Sequence, residues 1–151
     1  QESRGLGDVY KRQDEHLRDY FLKDRSLLNC LFHSVTSVIS RMFFTINKSK
    51  NFTPGFIMVL HTFGRDLKWN PHIHCLISEG GYSNDGFWRH VKHFNYTYLR
   101  HSFRTALLNE LESKLGTSFK KVKAKCYSEH KREICIWQCA QYISSGTCRI
   151  D

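Results

Sequence analysis

The 151-residue chain has no secretory leader pattern, no apolar run near 18 residues and no cysteine framework. The first two absences point away from export and from a membrane partner. Six cysteines are present, yet none lies in a paired metal-binding or disulfide spacing; Cys135 and Cys139 form a C-x3-C without a second pair. A reduced, cytoplasmic setting is the expectation. Acidic side chains are also few, 14 against 23 lysines and arginines, for a formal charge of +9 and a pI near 9.4. That excess suits a polyanionic partner, of which nucleic acid is the commonest, although basic charge can also serve solubility alone. Aromatic residues at 14% among so many cations suit single strands, where bases stack on rings and phosphates meet cations. The length fits one domain with a real core, and 40% hydrophobic content is ordinary for a globular chain.

The most informative stretch is Pro71-His72-Ile73-His74-Cys75-Leu76-Ile77-Ser78. In a strand, residues i and i+2 share a face, so both imidazoles project together while Ile73 enters the core. That arrangement suits two ligands of one metal ion. Upstream, Gly55 to Phe63 also reads as a strand, and the turn-like Gly64-Arg65-Asp66-Leu67-Lys68-Trp69-Asn70-Pro71 separates the two. A hairpin centred near Leu67 and Lys68 would place His61 almost opposite His74, with Cβ atoms roughly 5 Å apart. Three imidazoles can hold a divalent ion and leave positions open for substrate oxygens. The competing account makes His61 a half-buried strand histidine bonded to a backbone carbonyl.

The run FTPGFIMVLHTFGRDLKWNPHIHCLISEGG closely resembles the HUH-type rolling-circle transposases of the insertion sequence ninety-one family. The resemblance covers roughly residues 15–130, including LRDYFLKDRSLLN and WRHVKHFNYTYLRHSFR. It implies an α+β fold with an antiparallel sheet and helices packed mainly on one face, the HUH palm of ferredoxin or RRM type. It implies that His72 and His74, joined by His61 from the preceding strand, bind Mg²⁺ or Mn²⁺, although imidazoles also suit Zn²⁺ and Ni²⁺. It further implies cleavage and joining of single-stranded DNA at transposon ends through a tyrosine linked to a 5′ phosphate, in a prokaryotic cell near the nucleoid.

The remaining elements follow from periodicity and punctuation. Residues 15–23 read as a short helix with Leu17, Phe21 and Leu22 on one side, and Asp24 as the cap of a helix over about 25–46. Leu28, Leu31, Phe32, Val35, Val38, Ile39 and Met42 form its packing stripe. Glu79-Gly80-Gly81 is expected to end the histidine strand, with a polar, mobile loop over 82–86. Residues 87–94 read as a third strand, its outward residues being Arg89 and His93 or, in the other register, Trp88, His90 and Lys92. It is either a DNA platform or an edge strand protected by charge. Asn95 or Thr97 caps a helix to Leu115 that Gly116 ends, and residues 118–131 form a further helix carrying Lys120, Lys121, Lys123 and Lys125. Those lysines are a solvated face or a contact for DNA backbone. The candidate DNA-binding set is Arg65, Lys68, Trp69, Trp88, Arg89, Lys92, Lys120 and Lys121.

Both ends of the chain look unlike a nuclease domain. Residues 1–13 include RGLGDVYKRQ, which resembles a translated sequencing-adaptor tag, so the domain is expected over 14–131 with a non-native leader before it. Four of the six cysteines fall in the last 26 residues, and the resemblance fades after Lys131, as a frameshift or deletion over 132–151 would cause. In the family a helix there bears two tyrosines four residues apart. Tyr142-Ile143-Ser144 resembles the first half of that motif, making Tyr142 the candidate nucleophile, but Gly146 stands where the second tyrosine belongs. Two alternatives stay open: a plasmid relaxase or replication initiator with the same site, and a catalytically dead remnant that binds single-stranded DNA.

Overall fold

The computed structural model describes residues 15–46, 52–64, 66–91, 95–129 and 137–139. Helix α1 spans Glu15–Lys23. Asp24 then accepts a hydrogen bond from the Ser26 amide at 2.9 Å, capping a 3-10 turn over Arg25–Leu27 that runs into α2, Leu28–Ile46. Leu17 and Phe21 are buried as expected, but Leu22 faces solvent, because each helical residue turns about 100° from the last. On α2 the stripe Leu31, Val35, Val38, Ile39 and Met42 is buried, with Cys30, Ser34 and Phe43 beside it.

The segment Arg25–Thr45 is long and apolar enough to cross a membrane by length and composition, contrary to the expectation of no such run. Half of it is buried within the fold, and its outer side carries Asn29, His33, Thr36, Ser37, Ser40 and Arg41. It is the central helix of the core. Helix α3, Tyr96–Leu115, packs along it and is tied to it by Glu110, which meets the His33 ring at 2.8 Å and accepts from the Ser34 hydroxyl at 3.4 Å. Asn95 caps α3 by accepting from the Tyr98 amide, and Gly116 closes it at φ 73°, a backbone state that suits glycine. A 3-10 turn over Gly116–Phe119 leads into α4, Lys120–Glu129. Phe21, Phe43, Phe103 and Phe119 are the largest side chains of this core, and Cys30, Cys75 and Cys126 are buried thiols outside any disulfide.

The helices cover one face of a four-stranded sheet, as expected of an α+β fold. Strand β1, Phe52–Phe63, pairs antiparallel along nearly all of β2, Trp69–Ser83. On the other edge of β2, β3 (Trp88–His90) pairs antiparallel with Gly80–Tyr82. A fourth strand, β4 (Trp137–Cys139), runs parallel to Ile73–Cys75. The sheet is therefore mixed, and it extends past the boundary expected at residue 131. Only non-local pairing reveals β4, whose three residues carry no turn signal of their own.

Two other expectations are corrected. Gly80 and Gly81 lie inside β2 and do not end it. A Cβ on Gly80 would run into the Arg89 carbonyl oxygen and the Trp88 ring, so glycine there permits the close approach of β3. The segment after Tyr82 is a tight hairpin turn, with Gly86 N–H donating to the Ser83 carbonyl and Ser83 N–H to that of Phe87. Gly80→Ala is expected to cost about 1–3 kcal/mol by overpacking. Urea denaturation of both proteins checks this, and an unchanged midpoint would show that β3 can shift freely.

Candidate functional site: three histidines on the uncovered sheet face

The alternation of β2 does the positioning. Ile73 and Cys75 are fully buried against the helices, so His72 and His74 point to the opposite face. In the observed register His61 pairs with His72, and Val59 with His74. The expected pairing of His61 with His74 is thus two residues out, because the turn is shorter and β1 is irregular between His61 and Phe63. A two-residue slip preserves the face, whereas a one-residue slip would not. His61 consequently still joins the cluster, with ring centroids 4.2 Å from His74 and 5.4 Å from His72.

One candidate ligand nitrogen from each of the three rings lies within 4.8 Å of the others. His72 Nδ1 sits 2.7 Å from the Asn70 carbonyl oxygen, to which it donates, leaving the Nε2 lone pair for a ligand bond. His72 Nε2 and His74 Nε2 are 3.0 Å apart. Two imidazole nitrogens bound about 2.1 Å from one ion at a right angle stand about 3 Å apart, so this pair is already spaced as adjacent ligands. The exposed His61 ring offers a nitrogen within 4.8 Å of both. Burial, then the neighbouring His61 and His72, push the His74 imidazole below its ordinary range, favouring the neutral, metal-binding form. The donor set fits a divalent ion.

The DNA-binding candidates divide. Trp69 is a strut: its indole N–H donates to the Arg18 carbonyl at 3.1 Å, and its half-buried ring meets Phe63 edge-on, with Arg25 at 5.8 Å. Arg89 is held by Asp85 at 2.7 Å and by the Ser83 hydroxyl at 3.1 Å, on the side of β3 opposite Trp88. Both side chains carry intramolecular partners and are half-exposed. Lys68 projects into solvent near Asp66. Lys120 and Lys121 are exposed on α4, which packs on α3 in the helical layer; Lys123 bonds Glu112 at 2.5 Å and holds that carboxyl below its usual range. Arg65, Lys92, His93 and Tyr142 lie outside the described residues.

Sequence reasoning missed Ile57 and Val59, which stand exposed on the histidine face of β1, and Tyr82, which stands against Trp88. A signal was there: Phe56-Ile57-Met58-Val59-Leu60 is apolar without alternation, as in strands covered on both faces.

The fold and site define an α+β domain with a histidine cluster suited to a divalent metal. Residues 55–142, more than half of the chain, match the model of the family described as "Putative transposase", and the chain belongs to that transposase family. The matched stretch holds all three histidines and runs through β4 to Tyr142. Over 71 residues (47% of this chain, 16% of the relative) the chain is 31% identical to the transposase for insertion sequence element IS801 of Pseudomonas savastanoi pv. phaseolicola. Over 32 residues (21% of this chain, 8% of the relative) it is 53% identical to "Putative transposase y4qJ" of Sinorhizobium fredii (strain NBRC 101917 / NGR234). The chain thus matches less than a fifth of either relative's length. No solved structure matches.

The His74 shift has a consequence for the metal-free protein. Below about pH 6.5 the unfolded chain takes up a proton that folded His74 resists, so stability falls as pH drops through that range. Denaturation midpoints measured between pH 8 and pH 5 should decline, and His74→Gln should flatten the decline. An identical slope in the variant would remove His74 as its source.

Proposed function

We propose that the chain is the metal- and DNA-handling part of an HUH-type transposase, cutting and joining single-stranded DNA through a 5′-phosphotyrosine. The observation that carries this reading is the convergence of His61, His72 and His74 on the uncovered sheet face. Mg²⁺ or Mn²⁺, when bound there, supplies Lewis-acid polarisation of a scissile phosphate. The chain's own contributions are structural and electrostatic. Asn70 orients His72 through its carbonyl, burial keeps His74 neutral, and the core beneath Ile73 and Cys75 holds both rings in place. The formal charge of +9 favours a polyanionic strand.

Tyr142 is the nucleophile in this reading. It follows Cys139 by three residues, and Cys139 pairs with Cys75 beside His74. The transposase match favours this reading over a plasmid relaxase or replication initiator. Gly146 at the place of a second tyrosine favours a first cut without completed strand transfer. A misplacement of about 1 Å can cost on the order of a hundredfold in rate, so the yield should be low.

The test is to incubate the chain with Mn²⁺ and single-stranded ends of a candidate element. Denaturing gels and mass spectrometry then identify any covalent adduct. A low-yield adduct on Tyr142 that requires Mn²⁺, His72 and His74, with no joined product, is the expected result. Metal and strand binding without adduct would identify a binding remnant. An adduct indifferent to His72→Ala and His74→Ala would contradict the assignment.

A further inference from the structure

The far end of β2 carries a second feature that the histidine cluster does not use. Tyr82 and Trp88 are directly opposed across β2 and β3, so their side chains share a face. Their rings meet edge to face at 5.2 Å and 75°, and Trp88 meets His90 at 6.1 Å and 80°. The Trp88 ring lies over Gly80, where no side chain could fit. Despite these contacts Tyr82 is 59% and Trp88 40% exposed, and Phe87 at the turn beside them is 68% exposed. An edge-to-face pair covers one face of one ring, so ring surface remains open to solvent.

The shelf is also rigidly mounted. Arg89 reaches back from the opposite side of β3 to Asp85 and to Ser83, whose hydroxyl donates to the Asp85 carboxylate and stands 3.0 Å from the Phe87 carbonyl oxygen. These bonds tie the turn on which Trp88 stands, and they explain why a cation next to an exposed aromatic pair is spent on structure. Held aromatic rings at the surface of a chain with a formal charge of +9 suit an anionic ligand with flat apolar faces. A nucleobase of single-stranded DNA has both properties. Tyr82 lies opposite Thr53 of β1, six to eight residues from the partners of His74 and His72, roughly 20–27 Å at strand spacing.

We propose that Tyr82 and Trp88 form a base-stacking shelf that grips the DNA strand several nucleotides away from the phosphate at the histidine cluster. The shelf makes the substrate a single strand of minimum length on one side of the cleavage point. This rests on the single-stranded DNA reading above. It concerns binding alone and needs no metal, which allows the two to be tested separately.

The experiment measures fluorescence anisotropy of labelled single-stranded oligonucleotides with the full chain in EDTA, alongside tryptophan emission. The oligonucleotides are shortened stepwise from either end. Tyr82→Ala and Trp88→Ala should each weaken binding by about 5- to 150-fold, the range for a lost base stack. Trp88→Phe should retain binding but lose the quenching of tryptophan emission by DNA, a readout that a purely structural role would not move. Leu22→Ala, an exposed apolar position on α1, should bind the strand as the wild type does. Shortening from one end only should reproduce the Trp88→Ala loss. Wild-type affinity in both alanine variants would overturn the shelf and leave the proposed function standing. Unchanged DNA binding in Trp88→Ala together with loss of a dimer in light scattering would assign the face to a second copy and also overturn it. Failure of the wild-type chain to bind any single strand would overturn both readings.

Discussion

Everything at the site depends on the period-two alternation of β2 over Pro71 to Cys75. Burying Ile73 stabilises the strand by about 1.5–3 kcal/mol. A one-residue slip would expose Ile73 and Cys75 and drive His72 and His74 into the apolar layer beneath α2. Burying two imidazoles without partners would cost several kcal/mol more. The hydrophobic core thus selects the register, and the register delivers two ring nitrogens 3.0 Å apart on the other face. Function at that face is set by packing on the opposite one.

The same constraint explains how much of the molecule was legible in its residues. The helices were, because α2 and α3 bury continuous 3.6-residue stripes and Asp24, Asn95 and Gly116 mark their ends through local hydrogen bonds and backbone preference. The histidine face was, because alternation is a local property. The exact register of His61 was not, since it depends on how the Gly64–Lys68 turn closes and on an irregularity of β1. The continuation of β2 through Gly80 and Gly81 was hidden for a related reason. Adjacent glycines resemble a loop until the strand they accommodate is known. Trp69 and Arg89 show a further limit: their types suit DNA, but their partners, the Arg18 carbonyl and the Asp85 carboxylate, are distant in sequence or depend on the turn.

The uncovered face has an unusual character for a solvated sheet. Ile57 and Val59 stand exposed beside three histidines, one of which burial and its neighbours push toward the neutral form. The downward shift at His74 and the apolar surroundings lower the competition from protons and water for its ring lone pair. Among the described residues, exposed lysines stand away from this face on α4 and at the Lys68 turn.

The central claim is that these three imidazoles are ligands of one divalent ion. Pulsed electron paramagnetic resonance of the protein with substoichiometric Mn²⁺ tests it most directly, because directly bound nitrogen modulates the electron-spin echo. The account predicts strong imidazole nitrogen modulation that is lost in His72→Ala and His74→Ala and reduced in His61→Ala. Bound Mn²⁺ without nitrogen modulation, or modulation unchanged in those variants, would contradict it.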